Sequence, residues 1–142
     1  MKKGKLIIVK FISYFVILLF CYAAITKLLD FEKFQTQISA SPLLNGFSKF
    51  LPSTIIIVEF LIAGLLCYRK TGTTGLIGSF ILMLIFTGYT ALLLSTSKNL
   101  PCSCGGILEK MSWQQHLYFN MGCVVLSIIA LSLNLKYSRP AE

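Results

Sequence analysis

Residues 52–68 read PSTIIIVEFLIAGLLCY, an apolar run interrupted by a single carboxylate, Glu59. It shows no alternation of apolar and polar residues, which argues against a half-buried strand or a barrel strand. Its length is close to what a helix needs to cross a hydrocarbon core about 30 Å thick at about 1.5 Å per residue. Residues 7–25, 75–94 and 113–135 have the same character. Lipid offers no partners to backbone N–H and C=O groups, so each run satisfies its own backbone as a helix. The expected architecture is all-α and integral to the membrane: one domain over residues 1–142, folded as a four-transmembrane antiparallel helix bundle.

Composition agrees. Of 142 residues, 56% are hydrophobic and 13% charged, with a mean hydropathy of +0.78, far from a soluble domain and with no room for a separate one. The net charge of +8 sits in short clusters beside the apolar runs, where membrane orientation explains it without nucleic acid. Lys2, Lys3, Lys5, Lys10, Arg69, Lys70, Lys136 and Arg139 make eight cations on one side; Lys27, Lys33, Lys49, Lys98 and Lys110 make five over two longer loops. The denser side is expected in the cytoplasm, so both termini lie inside and residues 95–112 outside the bacterial inner membrane, on the periplasmic side. MKKGK looks like the basic start of a cleavable signal, but CYAAITK lacks a small-x-small site, and an uncleaved first span is expected.

The outer loops have patterns of their own. In DFEKFQTQIS, residues 30–39, Asp30 is placed to cap a short amphipathic helix. Phe31, Phe34 and Ile38 share its apolar face, a spacing suited to lying on the membrane surface, and Pro42 stops it. Ser112 and Gln115 have capping-box spacing at the start of the last span.

LPCSCGG, residues 100–106, puts Cys102 and Cys104 one residue apart between a proline and two glycines. Pairing at that spacing needs a tight turn, which Pro101, Gly105 and Gly106 can supply. So small a ring closes little chain, which makes stapling a weak reason for it, whereas a strained or exposed disulfide is exchange-competent. Three readings stay open: pairing elsewhere or a plain loop, a soft-metal site with Met111 and His116, and redox exchange. His116 lies one turn into the last span, with Asn120 and Cys123 on its face, placed either to accept a proton from a thiol or simply to bond Asn120.

Glu59 is the sharper signal, because an intramembrane carboxylate needs a partner. Lys27, at a similar depth in the first span, is the candidate, unless it snorkels to the headgroups. Thr87, Tyr89 and Thr90 fall in the outer half of the third span, so the unusual polar residues gather at one end. Cys21 and Cys123 read as packing residues, Cys67 as a reduced cytoplasmic thiol, and Gly64, Gly75, Gly78 and Gly88 as points of close helix approach.

The runs KLLDFEKFQTQISASPLL, VEFLIAGLL and PCSCGGILEKMSWQQHLYFN resemble the MauE branch of the DoxX-like membrane proteins over nearly the whole chain. The resemblance implies an association with methylamine utilisation and a thioredoxin-like partner acting in maturation of disulfide-containing periplasmic proteins. It places Cys102 and Cys104 at the motif positions. Quinone-linked disulfide generators use Cys-x-x-Cys, whereas this chain has Cys-x-Cys, so the electron acceptor is left open, with a quinone as one candidate.

The function expected is that of a thiol-disulfide oxidoreductase. Cys102 and Cys104 exchange with the extracytoplasmic thioredoxin-like partner, His116 assists proton transfer, and Glu59 with Lys27 forms a buried polar support or quinone-proximal proton site. The alternatives are a non-catalytic assembly factor that docks a periplasmic partner, and a Cys/His/Met metal handler.

Overall fold

The computed structural model of the chain describes residues 2–96 and 111–138, and among them every regular element is helical. Five α-helices follow in order: α1 Lys2–Leu29, α2 Phe31–Ala40, α3 Leu51–Cys67, α4 Gly72–Thr96 and α5 Trp113–Ser138, with one 3-10 turn at Asn45–Phe47 before α3. Helices α1, α4 and α5 are long and apolar enough to cross a membrane, while α3 is apolar but only 17 residues long.

The long helices extend past the expected limits: α1 begins five residues before Ile7, and α4 begins three residues before Gly75 and ends two after Leu94. Hydropathy marks only the part of a helix that lipid surrounds. The hydrogen-bond ladder continues into the polar zone wherever no proline stops it. At 28 residues, α1 is about 42 Å long, well beyond the apolar thickness of a bilayer.

The packing face of α1 is Val9, Ile12, Val16 and Phe20, three to four residues apart and all buried. They meet Ile62 and Leu66 of α3, Leu76 and Met83 of α4, and Cys123 and Ala130 of α5 in one core. The opposite faces are apolar but bare: Phe11, Leu18 and Ile57 are 74%, 71% and 62% exposed. A core apolar on the inside with an equally apolar outside is what lipid allows. Because lipid provides no hydrophobic drive between helices, close approach through small side chains matters. Ala24, Ser79, Ser127 and Ala130 are accordingly almost fully buried.

Helices α3 and α4 join through a tight turn, where the Thr71 hydroxyl donates to the Leu65 carbonyl at 2.8 Å. They run antiparallel, with Leu66 against Gly75 and Ile62 against Gly78. A Cβ on Gly75 would lie 2.8 Å from Leu66 Cγ and 2.9 Å from its backbone nitrogen, whereas Gly64 and Gly88 face open space within 4 Å. Close approach thus explains Gly75 and, more loosely, Gly78, but not Gly64 or Gly88. Gly75→Ala is expected to destabilise the bundle by about 1–3 kcal/mol, because a backbone nitrogen cannot rotate aside, and Gly64→Ala is expected to be neutral or slightly stabilising. Thermal unfolding of the two variants in detergent checks this.

Two local expectations meet different outcomes. The capping box forms: Gln115 N–H donates to Ser112 Oγ at 3.2 Å and Ser112 N–H to Gln115 Oε1 at 3.0 Å. Asp30 precedes α2 but makes no side-chain cap. Its own N–H still bonds back to Thr26 at 3.1 Å, while its carbonyl accepts from Phe34 at 3.0 Å. It is therefore a one-residue break between two helices and lacks the extended entry that a capping side chain uses. Helix α2 does stop before Pro42, with Ser41 forced to an extended ψ of 125°. Its apolar face turns onto the bundle rather than being left for the membrane surface, with Ile38 only 5% exposed.

Candidate functional site

At the end of the bundle opposite the α3–α4 turn lies a cavity of about 400 Å3, walled by all five helices. Its walls are mostly aliphatic and aromatic, with Lys27, Glu59, His116, Asn120, Tyr89 and Thr90 as the groups that carry chemistry. Four helices cross at this end, and α2 covers it through Phe34, Gln37 and Ile38.

Lys27 Nζ and Glu59 Oε1 form an ion pair between α1 and α3. Glu59 is 1% exposed and the Lys27 side chain 15%. The ammonium also sits 5.5 Å from the Phe34 ring centroid and 5.2 Å from that of Phe86, where aromatic faces favour a cation. The pair therefore holds together α1, α2, α3 and α4. It leaves Glu59 Oε2 buried with no hydrogen-bond partner among the described residues.

On α5 the spacing i, i+3, i+7 puts Trp113, His116 and Asn120 on one face, and all three line the cavity. The Trp113 and His116 rings meet edge to face at 6.5 Å. Asn120 is 3% exposed, and its amide Nδ2 has no acceptor among the described residues. Cys123, three residues on, belongs to the packed core instead, where burial fits its reading as a packing residue. Cys21 is partly exposed and Cys67 exposed; both are free thiols.

On α4, Thr90 and Tyr89 line the cavity, whereas Thr87 does not. Tyr89 donates its hydroxyl hydrogen to Ser41 Oγ at 2.7 Å, tying α4 to the end of α2. Thr90 donates to the Phe86 carbonyl at 2.8 Å, so it adds no free polar group to the wall.

The structure thus brings Lys27, Glu59 and His116 to one cavity. Cys102 and Cys104 lie outside the described residues. The two described ends that flank their segment both reach the cavity: Leu93 near the end of α4, and Trp113 and His116 at the start of α5. Among the described residues, no three His, Cys, Asp or Glu side chains are grouped to hold a metal ion. Sequence reading missed the aromatic pair over Lys27 and the Tyr89–Ser41 link. Both depend on distances between helices, which no spacing within one helix reveals. Asn120 was legible as sharing a face with His116, but neither it nor Trp113 as facing a cavity.

The family described as methylamine utilisation protein MauE matches residues 5–133, which includes every residue of this site. No curated protein and no solved structure matches the chain. With that match over most of its length, and with three helices long and apolar enough to span, the chain belongs to the MauE family of multi-pass membrane proteins.

Proposed function

We propose that the protein is a membrane thiol-disulfide redox protein. In this reading it crosses the bacterial inner membrane four times with both termini in the cytoplasm. Cys102 and Cys104 face the periplasm and exchange electrons with a thioredoxin-like partner that serves disulfide-containing proteins. The observation that carries the reading is the gathering of Lys27, Glu59 and His116 on the cavity reached by both helix ends that flank the cysteine segment. The excess of Lys and Arg on the other loops and termini supports the orientation.

The exchange itself is a thiolate substitution. A thiolate of Cys102 or Cys104 attacks one sulfur of the partner's disulfide, an S–S bond forms between the proteins, and the partner's other sulfur leaves as thiolate. The second cysteine then attacks the mixed disulfide, leaving a Cys102–Cys104 bond and a reduced partner; run backwards, the same steps oxidise the partner. His116 takes the proton that a thiol must lose first. The Lys27–Glu59 pair fixes the polar wall of the cavity.

Single Cys102→Ser and Cys104→Ser variants test this. One of them should accumulate a reducible adduct with a thioredoxin-like protein on non-reducing gels. If neither does, and the partner's oxidation state is unchanged in the double variant, the chain docks or positions a partner without exchanging electrons.

A further inference from the structure

We propose that the cavity is a binding site for a lipid-soluble quinone, which enters sideways from the bilayer between α3 and α4. At about 400 Å3, the cavity falls in the usual range for sites that enclose a small organic ligand. Its walls are apolar, yet three buried polar atoms on them lack partners among the described residues: Glu59 Oε2, Trp113 Nε1 and Asn120 Nδ2. A buried polar atom left unpaired is costly, and a cavity that presents a carboxylate acceptor beside N–H donors favours a ligand that supplies their complements.

A quinone head has that chemistry in both oxidation states. Its carbonyl oxygens accept from an amide N–H such as Asn120 Nδ2, and the hydroxyls of the quinol donate to a carboxylate oxygen such as Glu59 Oε2. A phospholipid fits less well: its phosphate needs an uncompensated cation, and the lysine lining this cavity is already neutralised by Glu59.

The way in is also visible. Helices α3 and α4 close on each other at Leu66–Gly75 and Ile62–Gly78, but over residues 51–59 and 82–93 both line the cavity. Among those lining residues, Thr54 and Ile85 are exposed, Ile85 by 58%, on the apolar outer surface. A ligand arriving there comes from lipid. Helix α2, locked by Tyr89 to Ser41, covers the end of the bundle instead.

Binding stands on the cavity alone; the quinone's role as electron acceptor rests on the exchange proposed above. On that reading, oxidation of the Cys102 and Cys104 thiols breaks two S–H bonds and forms one S–S bond. The two electrons and two protons released convert the quinone to quinol.

Trp113 is the one tryptophan in the sequence and lines the cavity, so its fluorescence reports occupancy. Protein in phosphatidylcholine nanodiscs, titrated with decylubiquinone, should show saturable quenching above the linear quenching due to quinone dissolved in lipid. Asn120→Leu should weaken the saturable phase about tenfold or more. The Cys102→Ser/Cys104→Ser variant should still bind, and exchange that persists in that variant with binding intact would sink the redox reading and leave this one standing. As a check that needs no variant, solvent extraction of the purified protein should yield about one quinone per chain, as expected for one ligand in one cavity. Quenching that is linear throughout in the unmodified protein, or a phospholipid recovered in place of quinone, overturns the proposal.

Discussion

Lys27→Met should destabilise the folded bundle by about 3–5 kcal/mol, towards the lower figure because the lysine keeps some exposure. The variant removes the cation from a pair whose carboxylate is 1% exposed, so Glu59 is left with both oxygens unpaired in an apolar cavity. Glu59→Leu should cost less. It strands the ammonium between the Phe34 and Phe86 rings, but the lysine side chain is 15% exposed and can reach outwards to the headgroups. Combining the two substitutions should recover most of the loss, since replacing a buried pair by apolar side chains is often close to neutral. Unfolding of the four proteins in mild detergent closes the cycle. Additive losses with no coupling would show that the pair contributes nothing as a pair.

Cys102→Ser/Cys104→Ser should reduce electron exchange with the partner to background while leaving thermal stability almost unchanged. A serine hydroxyl forms no disulfide. The other thiols do not replace the lost pair: Cys123 is 4% exposed in the core, and neither Cys21 nor Cys67 lines the cavity. Stability should hold because a ring closed over one intervening residue restricts the unfolded chain very little. The combination of full functional loss and an intact fold is what separates an exchange-competent pair from a structural staple. It also separates that pair from a docking loop, whose partner would be served normally by the variant. The oxidation state of the partner in cells, with melting curves of the purified variant, gives both halves of the comparison.

These two predictions draw on residues that were legible to different degrees. The Lys27–Glu59 pair could be anticipated because a carboxylate inside an apolar run has to find a cation, and few are at its depth. The Ser112–Gln115 cap was legible because it is local, two residues three positions apart bonding each other at the start of one helix. Asp30 was misread for a complementary reason. Its residue type favours a cap, but a cap also needs the incoming chain to be extended, and here α1 is still helical at Leu29.

The glycines make a similar point. Gly64 and Gly75 look alike in sequence, yet only Gly75 meets a neighbouring backbone, and which face of a helix meets a partner is decided by tertiary packing. The cavity could not be read at all. It arises where α3 and α4 line a common space beneath α2, and its unpaired atoms, on Glu59, Trp113 and Asn120, come from α3 and α5, which are well apart in the chain.

The most direct test of the account is the location and oxidation state of Cys102 and Cys104 in living cells. With Cys21, Cys67 and Cys123 replaced by alanine, a membrane-impermeant maleimide that adds mass to each thiol reports both at once. The account predicts no labelling of intact respiring cells, and labelling of both cysteines once the cells are treated with a reductant or respiration is blocked. Labelling that requires breaking the membrane open, or two thiols that stay reduced under every condition, would contradict it.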